Sequence, residues 1–305
     1  MTARIVSVAG PTASGKTALS VMLAKKLDAH VVSLDSMQIY RGMDIGTAKV
    51  RKEEMMGVPH YMIDCVLPSQ NYNVRTFVAE ARKIVDNLIA QGISVVLVGG
   101  TGLYLDHLLA DTQFADMPEN EQLRRVLSAQ TSDALYDELA ANDPESAERL
   151  HINDRKRIIR ALEVYRLTGK TIGDWNRQSH LNSRPLDCVQ FGLLFSDRQL
   201  LYQRIDQRVD KMMEEGLLDE VARLRKIDGF LQSTAAAAIG YKELICYFDG
   251  LYTYEQAVEM IKLHSRRYAK RQMTWFRRNT SIHWLDATAS TQEQCARALE
   301  ILYGA

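Results

Sequence analysis

The octapeptide Gly10-Pro11-Thr12-Ala13-Ser14-Gly15-Lys16-Thr17 fits the pattern G-x-x-x-x-G-K-[ST], which needs a strand before it and a helix after it. Both are legible. Ile5-Val6-Ser7-Val8-Ala9 is a short apolar run, and from Lys16 to Leu27 leucine recurs at 19, 23 and 27, a helical spacing. A loop so placed turns successive backbone amides inward, adds the partial positive charge of a helix N-terminus and supplies the full charge of Lys16. It is built to hold a diphosphate or triphosphate, with the Thr17 hydroxyl available to a magnesium ion.

Two further apolar runs repeat the theme. His30 to Leu34 ends in Asp35, and Ile93 to Val98 ends in Gly99-Gly100-Thr101-Gly102. Between them, Phe77, Ala81, Ile84, Val85 and Leu88 form a helical stripe from Arg75 to Gln91, closed by Gly92. Short strands alternating with helices predict an α/β fold: a P-loop parallel sheet flanked by helices, with ligands at the carboxyl ends of the strands. From about residue 115 the texture becomes all-helical. Helices are expected from Pro118, over Thr131 to Asn142, from Asp143-Pro144, and over His151 to Thr168. The predicted organisation is a catalytic core of residues 1–114 and 186–305, interrupted by a helical insertion at 115–185. Val189 to Phe195 returns the chain to the sheet. Ser196 to Gln199, Thr253 to Gln256 and Ser290 to Glu293 read as capping boxes opening later helices, and Ile282 to Leu285 as a last strand.

The 38 basic and 38 acidic side chains cancel, so any polyanionic partner must be met by local clusters. Cys65, Cys188, Cys246 and Cys295 are isolated, which argues against a zinc site or a disulfide framework and predicts small buried hydrophobes in a reducing compartment. The seven histidines show no metal-ligand spacing. No run approaches the ~20 apolar residues of a membrane span, and Met1 to Ala9 does not read as a signal peptide. A cytoplasmic protein, acting as a monomer, is the expectation.

Asp35 is the carboxylate best placed near the loop, suited to support magnesium, to act as a general base, or simply to cap a turn. Thr101 offers the one hydroxyl in a glycine-rich turn that lets backbone approach a ligand. Lys262, Arg266, Arg267, Lys270, Arg271, Arg277 and Arg278 are interleaved with Tyr268, Trp275 and Phe276, without an acid among them. Such a stripe suits a phosphate backbone with unpaired bases, although a solvated basic face has the same composition. Arg155, Lys156, Arg157, Arg160 and Arg166 form a second basic set, and Arg204 and Arg208 lie one turn apart on a helix. The loop by itself fits a small-molecule kinase moving the γ-phosphoryl of ATP equally well.

Taken together, GPTASGKT at 10–17, DSMQIYRGMDIGTAK at 35–49, GVPHYMID at 57–64, VGGTGLY at 98–104, AIGYKEL at 238–244 and RRYAKRQMTWFRR at 266–278 resemble the bacterial tRNA dimethylallyltransferase family, in order and over almost the whole chain. That resemblance implies transfer of a dimethylallyl group from dimethylallyl diphosphate, with Mg2+, to the exocyclic amine of the adenosine 3′ of the anticodon. The loop would then hold the leaving pyrophosphate through Lys16, with Thr101 and Arg208 near the diphosphate and Asp35 taking the amine proton. Asp35, Ser36, Met37 and Gln38 are implied to contact the anticodon stem-loop. Arg157 and Arg160 of the insertion, and Arg267, Arg271, Gln272 and Trp275 of the basic stripe, are implied to do the same. Ala237 departs from the glutamine often found there in the family, leaving contacts of 234–240 open.

Overall fold

The computed structural model describes residues 3–112, 114, 120–180 and 183–304. The chain divides into two compact units, one of residues 1–109 and 186–305, the other of residues 110–185.

The larger unit is built on a six-stranded parallel sheet in the order β3-β2-β4-β1-β5-β6. Its strands are β1 (Ile5–Ala9), β2 (Ala29–Ser33), β3 (His60–Tyr61), β4 (Ser94–Gly99), β5 (Cys188–Leu194) and β6 (Ile282–Asp286). Every residue of β1 is buried, as befits a central strand covered on both faces. In the first half of the chain come α1 (Lys16–Leu27), α2 (Lys52–Met55), α3 (Val74–Ala90) and α4 (Gly102–Leu109). α1 and α3 pack on the strands and β4 is shared by both. Leu19, Val21 and Leu23 of α1 meet Val6, Val96 and Phe191 in the main core. β3 escapes the sequence reading because two residues carry no periodicity.

The other unit contains α5 (Glu121–Ser128), α6 (Ser132–Asn142), α7 (Pro144–Arg149), α8 (Arg155–Thr168) and α9 (Ile172–His180). Its own core joins Leu127, Leu135, Leu139, Ile158 and Leu162. The fully buried Glu163 carboxylate ties it together, accepting from the Asn120 amide, Arg124 and Arg160. α5 is capped by Asn120; the opening expected at Pro118 lies outside the described residues. Helix α9, rich in polar residues, was not anticipated.

Back in the larger unit the chain forms α10 (Arg198–Glu214), α11 (Leu217–Leu224), two 3-10 turns at Phe230–Gln232 and Ala235–Ala237, α12 (Tyr241–Phe248), α13 (Tyr254–Phe276) and α14 (Thr291–Tyr303). Thr253 and Ser290 cap α13 and α14 with full capping boxes. At α10 the cap is Asp197, accepting from the Gln199 amide, and not the expected Ser196 box. A second core cluster gathers Ile39, Tyr40, Val221, Phe230, Tyr241 and Ile261 around α11 to α13.

Candidate active site

A pocket of about 420 Å³ opens at the carboxyl ends of β1, β2 and β4, lined on one side by Thr12 to Thr17 and on the other by residues of α10 and α13. The loop reaches its shape by left-handed backbone at Ala13 (φ 61°) and Gly15 (φ 93°), with Gly10 at φ 145°. A Cβ on Gly10 would sit 3.2 Å from the Leu193 carbonyl oxygen, a tight approach that together with the positive φ favours glycine at the strand-to-loop exit. The buried Ser14 hydroxyl has no hydrogen-bond partner among the described residues, and the Lys16 ammonium donates to the Pro11 carbonyl of its own loop at 2.6 Å.

Asp35 follows β2 and shapes the next turn. Its Oδ1 accepts from the Met37 amide at 2.9 Å and the Gln38 amide at 3.3 Å, which leaves Oδ2 without a hydrogen bond among the described residues. The carboxylate, Lys16 and Arg208 lie within electrostatic reach of one another. Burial and the neighbouring Arg208 push the Lys16 ammonium down to about 7, with Asp35 opposing. Burial also lowers Arg208, again against Asp35. Two cations are thus gathered in a partly dry pocket with one carboxylate, an arrangement that gains from an arriving anion. Tyr268 stands opposite, its phenol pushed up to about 12 by burial and by Asp35, with Thr101, Arg271 and Gln272 opposing. Thr101 itself lies one step behind the lining, its hydroxyl accepting from the Ser36 amide at 3.3 Å.

A family model for IPP transferases matches residues 38–279. A tRNA dimethylallyltransferase of Geobacillus thermodenitrificans is 46% identical over 94% of this chain and 92% of its own length; that of Anoxybacillus flavithermus is 44% identical over 94% and 92%. The chain belongs to the IPP transferase family. Among solved structures, the tRNA isopentenylpyrophosphate transferase of Bacillus halodurans is 41% identical, with a TM-score of 0.75 over 99% of this chain and 96% of its own. A eukaryotic dimethylallyltransferase described as acting on tRNA has a TM-score of 0.82 at 28% identity, covering 99% of this chain and 80% of its own.

In this IPP transferase family member the pocket brings together Lys16, Thr17, Asp35, Ser36, Met37, Gln38, Arg208 and Arg271. Other expected contacts lie outside the pocket or, though lining it, are bonded within the protein. Gln272 also lines the pocket, but is 5% exposed and bonded to backbone: its oxygen accepts from the Thr12 amide at 2.9 Å and its nitrogen donates to the Gly100 carbonyl at 2.9 Å. It clamps the phosphate loop to the turn after β4. Trp275 donates its indole N–H to Asp106, rests on Gly102 and is covered by the Arg278 guanidinium 4.1 Å from its ring. Phe276 and Tyr104 are core residues, 2% and 6% exposed, so neither offers a stacking face. Within the basic stripe, Lys262 pairs with Asp210 and Arg266 with Asp206 on α10, while Arg267, Lys270 and Arg277 remain exposed.

Arg204 turns away from the pocket to the Ala287 carbonyl and the Phe195 ring, leaving Arg208 as the cation that α10 contributes. In the helical unit, Arg160 is held by Glu163 and the exposed Arg157 pairs with Asp154. The cysteines are not uniformly buried either; Cys65 is exposed and of the four only Cys295 is fully enclosed. His60, Lys242 and Tyr268 line the pocket and were not singled out as site residues. They sit inside the quoted strings GVPHYMID, AIGYKEL and RRYAKRQMTWFRR, so the signal was present without a role attached.

Proposed function

We propose that this IPP transferase transfers a dimethylallyl group from dimethylallyl diphosphate to the exocyclic amine of the adenosine immediately 3′ of the anticodon in tRNA, giving N6-isopentenyladenosine. The observation that carries the reading is the pairing, in one pocket, of an anion cradle with a carboxylate that keeps an unbonded oxygen. An apolar wall of Ile205, Val209, Met212 and Ile261 completes the same pocket, matching a ligand with a charged head and a hydrocarbon tail.

In this mechanism the loop amides, Lys16 and Arg208 hold the diphosphate, and charge develops on it as its oxygen leaves the allylic carbon. Fixed donors of this kind typically contribute about 10²–10³ in rate. The adenosine nitrogen forms the new carbon bond, and its proton passes to Oδ2 of Asp35. Thr101 stands behind this turn and orients it through the Ser36 amide. Reaching the amine requires the base to leave its stack, at about a few kcal/mol.

Mg2+ is usually held by one or two protein oxygens plus substrate phosphates. Thr17, with Asp35 behind it, would hold the ion, which would neutralise charge on the diphosphate. Tyr268, Arg271 and Gln38 line the mouth and serve the RNA side, with Ser36 and Met37 beside them. The exposed Arg267 extends that track, and Trp275 supports it from Gly102. In the helical unit Arg157 meets the anticodon stem and Arg160 contributes its remaining donors. The enzyme acts as a monomer in the cytoplasm; none of the described helices is long and apolar enough to cross a membrane.

Mass spectrometry of tRNA nucleosides after incubation with dimethylallyl diphosphate and Mg2+ is expected to reveal N6-isopentenyladenosine. Unmodified tRNA, with a small molecule phosphorylated from ATP instead, would replace this reading with the kinase one.

A further inference from the structure

The chain from Asp44 to Ala48 forms part of the pocket wall, through Gly46, Thr47 and Ala48. Its conformation is imposed from α11. The Glu220 carboxylate, 1% exposed, accepts from the Asp44 and Ile45 amides at 2.9 Å, from the Gly46 amide at 3.1 Å and from the Tyr241 hydroxyl at 2.6 Å. No basic side chain pairs with it among the described residues. Three successive amides converging on one point form a concavity that binds anions, and here the protein fills it with its own carboxylate. The desolvation of that carboxylate is offset only while all of these donors stay aimed at it. Gly46 is required by the same arrangement, because a Cβ there would lie 2.5 to 2.8 Å from the Tyr241 ring.

The same segment also meets Gln38. The Thr47 and Ala48 carbonyls accept from the Gln38 side-chain nitrogen at 3.3 and 3.4 Å. Both partners are acceptors, so the carboxamide is turned one way round: its nitrogen faces the loop and its oxygen is the end left for a ligand. Gln38 follows Asp35 in the same hydrogen-bonded turn.

We propose that Glu220 is a positioning residue for RNA binding, shaping the 44–48 loop so that Gln38 presents its carboxamide oxygen, an acceptor, to a base N–H in the anticodon loop. This rests on the reading of the pocket as a tRNA site. Glu220 touches neither the phosphate loop nor Asp35, so the role predicts a split: RNA affinity depends on it and donor affinity does not.

The test measures the Kd of a fluorescent anticodon stem-loop and, separately, the Kd of dimethylallyl diphosphate, for wild type, Glu220→Gln, Gln38→Ala and the double variant. Glu220→Gln retains the shape of the side chain but replaces one acceptor by a donor facing donors. RNA binding is expected to weaken about tenfold, the factor that corresponds to one good hydrogen bond, with donor binding unchanged. The double variant is expected to be no weaker than Gln38→Ala alone, since Glu220 acts through Gln38. Additive losses, equal losses for donor and RNA, or no loss of RNA affinity would each overturn the role. Tyr241→Phe, which removes only one of the four donors, is expected to show the same split at a smaller size; if Glu220→Gln does not fold, this variant decides, and loss of both affinities in it overturns the proposal. Wild-type protein that binds the stem-loop but leaves its adenosine unmodified would reject the proposed reaction without touching the binding comparison.

Discussion

Lys16 carries the most testable consequence of any single residue. Its ammonium lies near 7 in the folded protein, below the roughly 10.4 of an unfolded chain. The unfolded state therefore binds more protons across that window, and stability from this group rises with pH between the two values. Charged Lys16 opposes folding, fully so below pH 7. Lys16→Met is expected to raise Tm at pH 6 and to lose most of that gain by pH 9.5; an equal gain at both would contradict the burial. Binding has the opposite sign, since a diphosphate favours the charged form. At pH 8 the wild type is expected to take up a proton on binding, read by calorimetry in buffers of different ionisation enthalpy, while turnover of Lys16→Met falls by about 10²–10³. At Asp35, substitution by Asn preserves an oxygen for the Met37 and Gln38 amides but no base. Single-turnover prenylation should fall by about 10²–10⁴ while stem-loop affinity holds; unaltered single-turnover rates would remove Asp35 from proton transfer. The loop residues were legible because they are contiguous. Glu220 was not, because a polar residue in a helical stretch looks like surface until its distant partner is known; Gln272 and Tyr268 were named within the basic stripe, but the Gln272 clamp on the loop, 260 residues away, was not readable.

Among elements, the turn after β4 shows how a correct motif can be read with the wrong neighbour. Its glycines suggested backbone open to a ligand, and Gly99 and Gly100 do line the pocket, but each is also pressed by protein. A Cβ on Gly99 would sit 2.4 Å from the Leu34 carbonyl oxygen, and one on Gly102 would sit 2.2 Å from the Trp275 indole. Leu34 is fixed by the sheet, its amide bonded to the Val98 carbonyl, whereas the neighbour of Gly102 is a side chain, held by one hydrogen bond to Asp106 and by the Arg278 guanidinium. Gly99→Ala is therefore expected to destabilise by about 1–3 kcal/mol or more and Gly102→Ala by less, with urea midpoints showing that order; the reverse order would mean that the indole is the stiffer neighbour. Strands and long helices were readable from periodicity and caps. The pair at His60–Tyr61 and the polar α9 were not, since neither has an apolar repeat to count.

The molecule as a whole carries separate cores in its two units. Glu163→Ala leaves Arg124 and Arg160, each about a third exposed, without the buried carboxylate that joins them, a change expected to destabilise by about 1–3 kcal/mol. The loss should be confined to residues 110–185, so limited proteolysis is expected to cut there first while dimethylallyl diphosphate still binds. Protection of that unit with loss of donor binding would show the two to be one cooperative block. The bond between Thr12 and Gln272 joins residues 260 apart, and β5 packs beside β1 only after the insertion has been traversed. During synthesis the whole glycine-lysine signature leaves the ribosome almost at once, yet it stays an unfinished receptacle until nearly the last helix follows it. A nascent or C-terminally truncated chain, though it displays the signature in full, would have little hold on free pyrophosphate.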